Sequence, residues 1–280
     1  MYRWVIFWLL AAVATSLPAQ SPWTRSKAGL YTQAGYHFIP TYESLFAPDG
    51  GEQALERALS ERTIQLYTEY GIGKNTTLVL SLPFRFLEAG DLTMPGVPPQ
   101  TGSGTLSGLG NTQFSVRQKL IDGKLPLTAS FKAELPVDRY DDITGMSLGY
   151  NAWTFTPMIS TGKGYAATYW FAYVGYGYRT DDFSDLLNAG AEGGLHLGPV
   201  WAILFVDWVQ PMRNGAVSLP PRNNLTGLYV NNQGYVAMGF KTVAEINRFF
   251  GAFFSFGGAA TAQLVPRSPG LGLGGYFKWD

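Results

Sequence analysis

The connections between the strand-like segments of this sequence alternate strictly between very short and long. Segments in which apolar and polar residues alternate, the pattern of β-strands with two different faces, run through most of the chain. The short connections lie at 73–75, 122–123, 162–164, 198–199 and 246–248. The long ones, rich in Gly, Pro, Asn and Asp, cover about 40–60, 88–107, 138–151, 180–184, 213–232 and 259–269. Five turns alternating with six loops require about twelve strands.

This order of connections predicts where each one lies in a barrel. In an antiparallel up-and-down barrel every second connection lies at the same rim, so all short turns lie at one end and all long loops at the other. Outer-membrane barrels show this asymmetry, with an even number of strands and both chain ends on the side of the short turns. The sequence therefore predicts an all-β fold, a transmembrane up-and-down antiparallel β-barrel of about 12 strands over residues 20–280.

Two hairpins test the strand assignment, because turn length fixes which residues share a face. The first short turn has three residues and so keeps parity, which places Ile64 on the same face as Phe84. The second, at 122–123, has two residues and changes parity, which sets Phe114 opposite Phe131. In both hairpins one face is apolar and the other polar. A soluble β-sandwich would pass the same test, since it also buries one face of each strand.

The composition of the polar face favours a membrane barrel over a sandwich. Polar residues inside and apolar residues outside are the pattern of transmembrane barrels. We expect the lumen to be lined by the ionisable residues of this face, which are Glu69, Arg85, Arg117, Lys119, Lys132, Glu134, Glu192 and His196.

The beginning of the chain has the features of a secretory signal peptide. Arg3 is followed by an uncharged apolar run and then by small residues, with the cleavage site predicted between Ala19 and Gln20. Residues 1–19 are therefore predicted to be removed on export to the outer membrane. No later apolar run approaches the roughly 20 residues that a membrane helix needs.

The amino-acid composition excludes several kinds of binding partner and of bond. The chain has 20 basic and 20 acidic residues, so no basic field attracts nucleic acid. It has no cysteine, which removes disulfides and thiolate metal sites. Only 14% of its residues are charged and 15% are aromatic, whereas soluble domains carry about 25% charge. The expected partners are outer-membrane lipid and a small-molecule solute, and the oligomeric state stays open.

Candidate catalytic groups are few. His37 and His196 are the two histidines, and His196 shares the inward face of its strand with Glu192. A pairing of these two side chains would suit a membrane-embedded lipid-modifying enzyme, but a simple hydrogen bond in the lumen is the favoured interpretation. The adjacent acids at 141–142 and 181–182 lack calcium-loop spacing and are interpreted as turn residues. We predict no catalytic residues, metal or cofactor.

Two segments, near 165–178 and 200–209, are apolar on both faces. An open aqueous pore would not favour such strands. They indicate either an aromatic wall suited to a hydrophobic solute or a lumen filled by its own side chains or by a folded-in loop.

Short motifs resemble one family of outer-membrane barrels. They are Glu69-Tyr70-Gly71-Ile72-Gly73-Lys74-Asn75-Thr76-Thr77-Leu78 followed by Leu82-Pro83, then Gly108-Leu109-Gly110-Asn111-Thr112-Gln113, Glu134-Leu135-Pro136 and Gly175-Tyr176-Gly177-Tyr178-Arg179. These are similar to motifs of the phenol meta-pathway degradation or transporter proteins, although Asn111 stands where Asp is usual. The resemblance implies a barrel, an outer-membrane location and transport of small, often hydrophobic compounds, and it brings no catalytic residues.

The predicted function is accordingly a channel or transporter for small solutes, hydrophobic ones included, rather than an enzyme. Two alternatives stay open at this stage: a lipid-modifying enzyme in the membrane, and an adhesion or structural barrel whose loops bind a partner.

Overall fold

The described part of the chain forms a closed β-barrel with one short helix. The computed structural model describes residues 20–49, 51–94, 96 and 98–279, and the predicted signal peptide lies outside them. The elements are β1 (Leu30–Phe46), β2 (Glu52–Gly71), β3 (Thr76–Leu92), β4 (Gly104–Leu109), β5 (Gln113–Ile121), β6 (Leu127–Glu134), β7 (Thr154–Gly164), β8 (Thr168–Arg179), β9 (Leu186–Leu197), β10 (Val200–Pro211), α1 (Pro221–Thr226), β11 (Gly234–Glu245), β12 (Phe250–Gln263) and β13 (Gly270–Trp279).

The barrel closes because its first and last strands pair. β13 pairs antiparallel with β1, with Leu30 opposite Trp279, and the other neighbours follow chain order. β4 and β5 are two pieces of one barrel strand, since both pair with β3. Ser81 of β3 pairs with Gln113 of β5, and Phe84 of β3 pairs with Leu109 of β4. The partner strand therefore covers four residues where β3 covers three, and the extra residue forms a bulge between β4 and β5. The prediction of about twelve strands is therefore confirmed.

Short and long connections lie at opposite ends of the barrel, which we call the turn end and the loop end. Leu30 and Trp279 both lie at the turn end, as predicted. One predicted loop was wrong: most of 40–60 is strand, and the connection between β1 and β2 covers only 47–51. Inward apolar side chains such as Leu45 and Leu55 are fully buried against the loops above the barrel, and this packing extends the two strands.

One of the two hairpin registers matches its prediction. Ile64 pairs with Phe84 across the first turn, as expected from three turn residues. Phe114, however, pairs with Ala133 rather than Phe131. The second connection extends to Pro126, which has no N–H for the ladder, and a bulge precedes it. The resulting shift of two residues preserves the faces, because side chains alternate with a period of two.

The wall is apolar outside and polar inside. Ile64, at 51% exposure, and Phe131 project outwards, whereas Glu69, Thr77 and Arg117 are buried inside. An outward apolar band around a closed barrel matches a hydrocarbon layer, because closure through the pairing of β1 with β13 leaves no open sheet edge. Among the described residues no helix is long and apolar enough to cross a bilayer.

The lipid-facing band predicts a depth-dependent cost for charge. Leu66 projects outwards midway along the apolar part of β2, so we expect Leu66→Arg to destabilise the barrel by about 2–4 kcal/mol. Leu120 also faces outwards but lies near the turn end, where Leu120→Arg should cost only about 0–1 kcal/mol. The measurement is the free energy of unfolding of protein refolded into vesicles. Equal costs at the two positions would contradict the assignment of the band.

Candidate functional site: the barrel lumen

Residues 20–29 precede β1, and we call them the lumen segment: residues 20–25 lie inside the barrel, and residues 26–28 are exposed at its turn end. Pro22 is fully buried. The Trp23 ring meets Tyr169 and Phe171 of β8 edge to face, at centroid distances of 5.6 and 5.8 Å. The Thr128 hydroxyl of β6 donates to the Pro22 carbonyl oxygen at 2.6 Å. The segment therefore spans the lumen between distant strands.

Charged groups of the wall hold this segment through what we call the Glu69 cluster, formed by Glu69, Tyr67, Arg117 and Arg25. The Glu69 carboxylate accepts from Arg25 Nε at 2.6 Å and from the Tyr67 hydroxyl at 2.6 Å. Arg117 Nη1 lies 3.2 Å from the same carboxylate and donates to the Trp23 carbonyl oxygen at 2.8 Å. Because Arg117 has no exposed surface, its charge depends on these contacts.

Backbone contacts fix the other end of the lumen segment. The Arg25 amide donates to the Thr77 hydroxyl at 2.8 Å, and the Ala28 amide donates to the Gly71 carbonyl oxygen at 2.7 Å. Gly71 permits this approach, since a Cβ there would lie 1.8 Å from the Ser26 carbonyl oxygen. The C-terminal part of the segment is thus attached to β2 and β3, next to the beginning of β1.

A cavity of about 570 Å³ lies in the turn half of the lumen, and we call it the aromatic chamber. Its wall carries the aromatic rings of Trp23, Tyr31, Tyr67, Tyr165, Tyr169, Phe171, Trp201, Phe205, Phe253 and Phe256. Glycines on neighbouring strands make room for the rings: a Cβ on Gly194 would lie 2.2 Å from Tyr169, and one on Gly239 would lie 2.6 Å from Phe205. The strands that are apolar on both faces were expected to indicate either an aromatic wall or a filled lumen. The structure shows some of each, because the lumen has an aromatic wall and is partly filled by the lumen segment.

A second cavity of about 270 Å³, the polar cavity, lies nearer the loop end. His37 and Gln65 line both cavities and mark their junction. Two ion pairs line the polar cavity: Arg85 with Glu61, and Lys132 with Glu134 at 2.5 Å. The lumen therefore changes along its axis from aromatic to ionic.

Two long loops fold over the loop end and narrow it. Loops 135–153 and 212–233 contribute Met146, Leu148 and Leu228 to an apolar group that we call the loop cluster. Its other buried members come from β1 to β4 and are Ile39, Tyr42, Leu45, Leu55, Leu59, Leu87, Ala89 and Leu106. From loop 212–233 the Tyr229 ring also reaches into the lumen, where the Arg85 guanidinium lies 4.9 Å from its centroid.

Polar contacts join the two loops to each other. The Thr226 hydroxyl donates to the Gly145 carbonyl oxygen at 3.1 Å, and Arg222 lies 3.1 Å from the Asp142 carboxylate. Within loop 135–153 the Thr144 hydroxyl and amide donate to Asp141, and these hydrogen bonds hold the pKa of that carboxyl below its ordinary value. No group of three or more metal-ligating side chains is arranged to hold an ion in the described part of the chain.

The predicted lumen residues occupy several different places. Glu69 and Glu192 line the aromatic chamber, and Arg85, Lys132 and Glu134 line the polar cavity. Arg117 lies beneath the lumen segment instead of at a cavity surface. Lys119 pairs with Asp122 at 3.2 Å in a shallow cleft at the turn end.

His196 does not meet Glu192, contrary to the pairing considered from the sequence. Two residues four apart on a strand are separated by about 13 Å, whereas Trp201 lies directly across the ladder from His196. The His196 ring stacks on Trp201 at 4.4 Å and its Nε2 lies 3.5 Å from Glu245. Glu192 pairs instead with Lys241 at 3.4 Å and accepts from the Tyr169 hydroxyl at 2.5 Å.

Comparisons with known proteins identify the fold. No family model matches the sequence, and no curated protein matches it. The structure is similar to an outer-membrane channel from Pseudomonas putida F1, with a TM-score of 0.64, 14% identity and coverage of 95% of this chain and 100% of the other. The NanC porin has a TM-score of 0.53 at 8% identity, with coverage of 89% and 100%. The translocator domain of the autotransporter NalP from Neisseria meningitidis has a TM-score of 0.50 at 10% identity, with coverage of 89% and 88%. At these identities the likeness shows an outer-membrane barrel fold.

Proposed function

We propose that the protein resides in the outer membrane and carries small hydrophobic solutes, aromatic ones among them, through its lumen. The aromatic chamber is the observation that carries this proposal. Binding sites for small molecules are usually cavities of about 300–1,000 Å³ lined mainly by apolar and aromatic side chains, and the chamber, at about 570 Å³, has this size and lining. Aromatic rings attract an aromatic solute by burial and by edge-to-face contact.

The orientation of the barrel in the membrane indicates on which side of the solute path the aromatic chamber lies. Short turns of outer-membrane barrels face the periplasm and long loops face outwards, so the aromatic chamber lies on the periplasmic side and the polar cavity on the outer side. The lumen segment and the loops both obstruct the axis. The proposed route is therefore narrow and selective, and its opening requires movement of these two obstructions.

Two comparisons support the proposal without settling the solute. A channel from Pseudomonas putida F1 shares the fold, and the motifs resemble the phenol meta-pathway family. Membership of that family is part of the proposal, as is transport of aromatic compounds. His196 does not support the alternative of a lipid-modifying enzyme, because its ring contacts Trp201 and Glu245.

Removing a ring from the chamber should weaken binding of an aromatic solute. Phe171 lines the chamber, and an aromatic pair contributes about 1 kcal/mol beyond burial, so Phe171→Ala should raise the Kd of phenol or toluene about fivefold to tenfold. Calorimetric titration of refolded protein gives the Kd, and solute flux into protein-containing vesicles should fall in parallel.

The matched control is Phe131→Ala, which removes the same ring from the outer face of β6. It should leave both solute affinity and flux unchanged. Equal effects of the two substitutions, or no saturable binding of either solute by the parent protein, would reject the chamber as the binding site.

A further inference from the structure

A carboxylate in the polar cavity forms no salt bridge with any residue that the structure describes. Asp207 of β10 is 5% exposed, and its hydrogen-bond partner is the Tyr173 hydroxyl. Within the part of the chain that the structure describes, no Lys, Arg or His nitrogen lies within 4.0 Å of it. An ionised carboxylate out of water is costly unless it is paired. Asp207 therefore faces the polar cavity as an acceptor for a positive group.

The other acids of the lumen already have partners. Glu61 pairs with Arg85, Glu134 with Lys132, and Glu192 with Lys241, while two arginines meet Glu69. Asp207 is thus the acid of this set that has no salt bridge among the described residues.

The far end of the lumen segment reaches the same place. Gln20 lines the polar cavity together with Asp207, and its side chain lies next to the Tyr173 hydroxyl that binds the Asp207 carboxylate. Gln20 is also the residue that the signal-peptide pattern predicts as the first of the mature chain.

We propose that cleavage between Ala19 and Gln20 creates an α-ammonium group in the polar cavity, and that Asp207 is its counter-ion. The mature lumen segment is then held at two points, by the Glu69 cluster at Arg25 and by Asp207 at Gln20. Export processing thereby supplies a cation next to Asp207. The inference does not depend on the solute that the barrel carries.

The first measurement is the intact mass of protein purified from the outer membrane. The expected mass is that of residues 20–280 with a free amine. Cleavage at another bond would overturn the proposal. So would cyclisation of Gln20, in which the α-nitrogen attacks the side-chain amide carbon and ammonia leaves, because the product carries no charge.

The second measurement is the rate at which an aldehyde selective for N-terminal amines, 2-pyridinecarboxaldehyde, modifies the folded protein at neutral pH. The ion pair protects the amine, so Asp207→Asn should accelerate the modification by about tenfold or more. Asp207→Glu, which keeps the charge, should restore protection. The control is Glu134→Gln, which removes another inward carboxylate of the polar cavity, one that already pairs with Lys132, and should leave the rate unchanged.

Equal rates in Asp207→Asn and in the parent protein would overturn the proposal. Heat-modifiable migration in detergent gels verifies that each variant is a folded barrel. If Asp207→Asn does not fold, an alanine inserted between Ala19 and Gln20 displaces the ammonium by about one residue length, ~3.5 Å, and should give the same loss of protection.

Discussion

Glu69→Gln is expected to release the lumen segment from the barrel wall. The substitution keeps the size of the side chain and its contact with Tyr67, but it removes the charge that two arginines share. Arg117 then loses its ion pair with Glu69, and breaking a buried ion pair costs about 3–5 kcal/mol. The loss of the ion pair destabilises chiefly the bound position of the lumen segment, because Arg25 belongs to the segment and Arg117 binds its Trp23 carbonyl oxygen.

Release can be measured with a single cysteine, since the chain has none of its own. Ser21→Cys places a thiol in the lumen segment, and its reaction with a maleimide should be slow in the parent background and at least about a hundredfold faster with Glu69→Gln, if the segment bears the larger part of that cost. Single-channel conductance in planar bilayers should rise as the segment leaves the axis. Glu134→Gln is the matched control, because it removes an inward carboxylate that pairs with Lys132 and not with the segment. Similar labelling rates in the two variants would show that Glu69 does not hold the segment.

The barrel itself follows from local features of the sequence, and the lumen segment does not. Strand alternation and connection length are short-range signals, so the strand number and the position of both chain ends could be predicted. The lumen segment has no periodicity, and its partners are remote in sequence: Arg25 meets Glu69, and Pro22 meets Thr128. Such contacts depend on tertiary packing, for which the sequence offers only the apolar pair Pro22-Trp23 after the predicted cleavage site.

The errors of register and of length have the same origin. The second turn was predicted from the pair at 122–123, but its length depends on where pairing resumes after Pro126. The region 40–60 contains Pro and Gly and so resembles a loop, yet Leu45 is buried in the loop cluster that also contains Leu228, and the strands continue. The sequence pattern does not single out Asp207, because its strand is apolar on both faces and one inward acid does not change that pattern.

Gly145→Ala is expected to separate the two loops at the loop end. Gly145 has φ +76°, and a Cβ there would lie 2.3 Å from the Arg222 carbonyl oxygen. The left-handed conformation costs an L-residue roughly 1–2 kcal/mol, and the overlap with backbone adds about 1–3 kcal/mol. Gly198→Ala isolates the first of these costs, since Gly198 has φ +64° and nothing within 4 Å of its Cβ position.

Limited proteolysis distinguishes these costs. Trypsin is added from the side of the loops, and its rate of cleavage within loops 135–153 and 212–233 is measured. This rate should be about tenfold higher in Gly145→Ala, because the loops open locally more often. Gly198→Ala should leave cleavage at these loops unchanged, although it destabilises a turn at the other end. Equal acceleration in both variants would mean that backbone strain, and not contact between the loops, controls the opening.

The two obstructions lie in series along one axis, which predicts how their variants combine. In a series path the larger resistance limits the current, so opening one obstruction leaves the other in control. Glu69→Gln and Gly145→Ala should therefore each raise single-channel conductance modestly, and the double variant should raise it by more than the sum of the two increases. The sites share no side chain, so their stability costs should add while their conductances do not. An additive increase would place the loops beside the route instead of across it, and the lumen segment alone would then control passage.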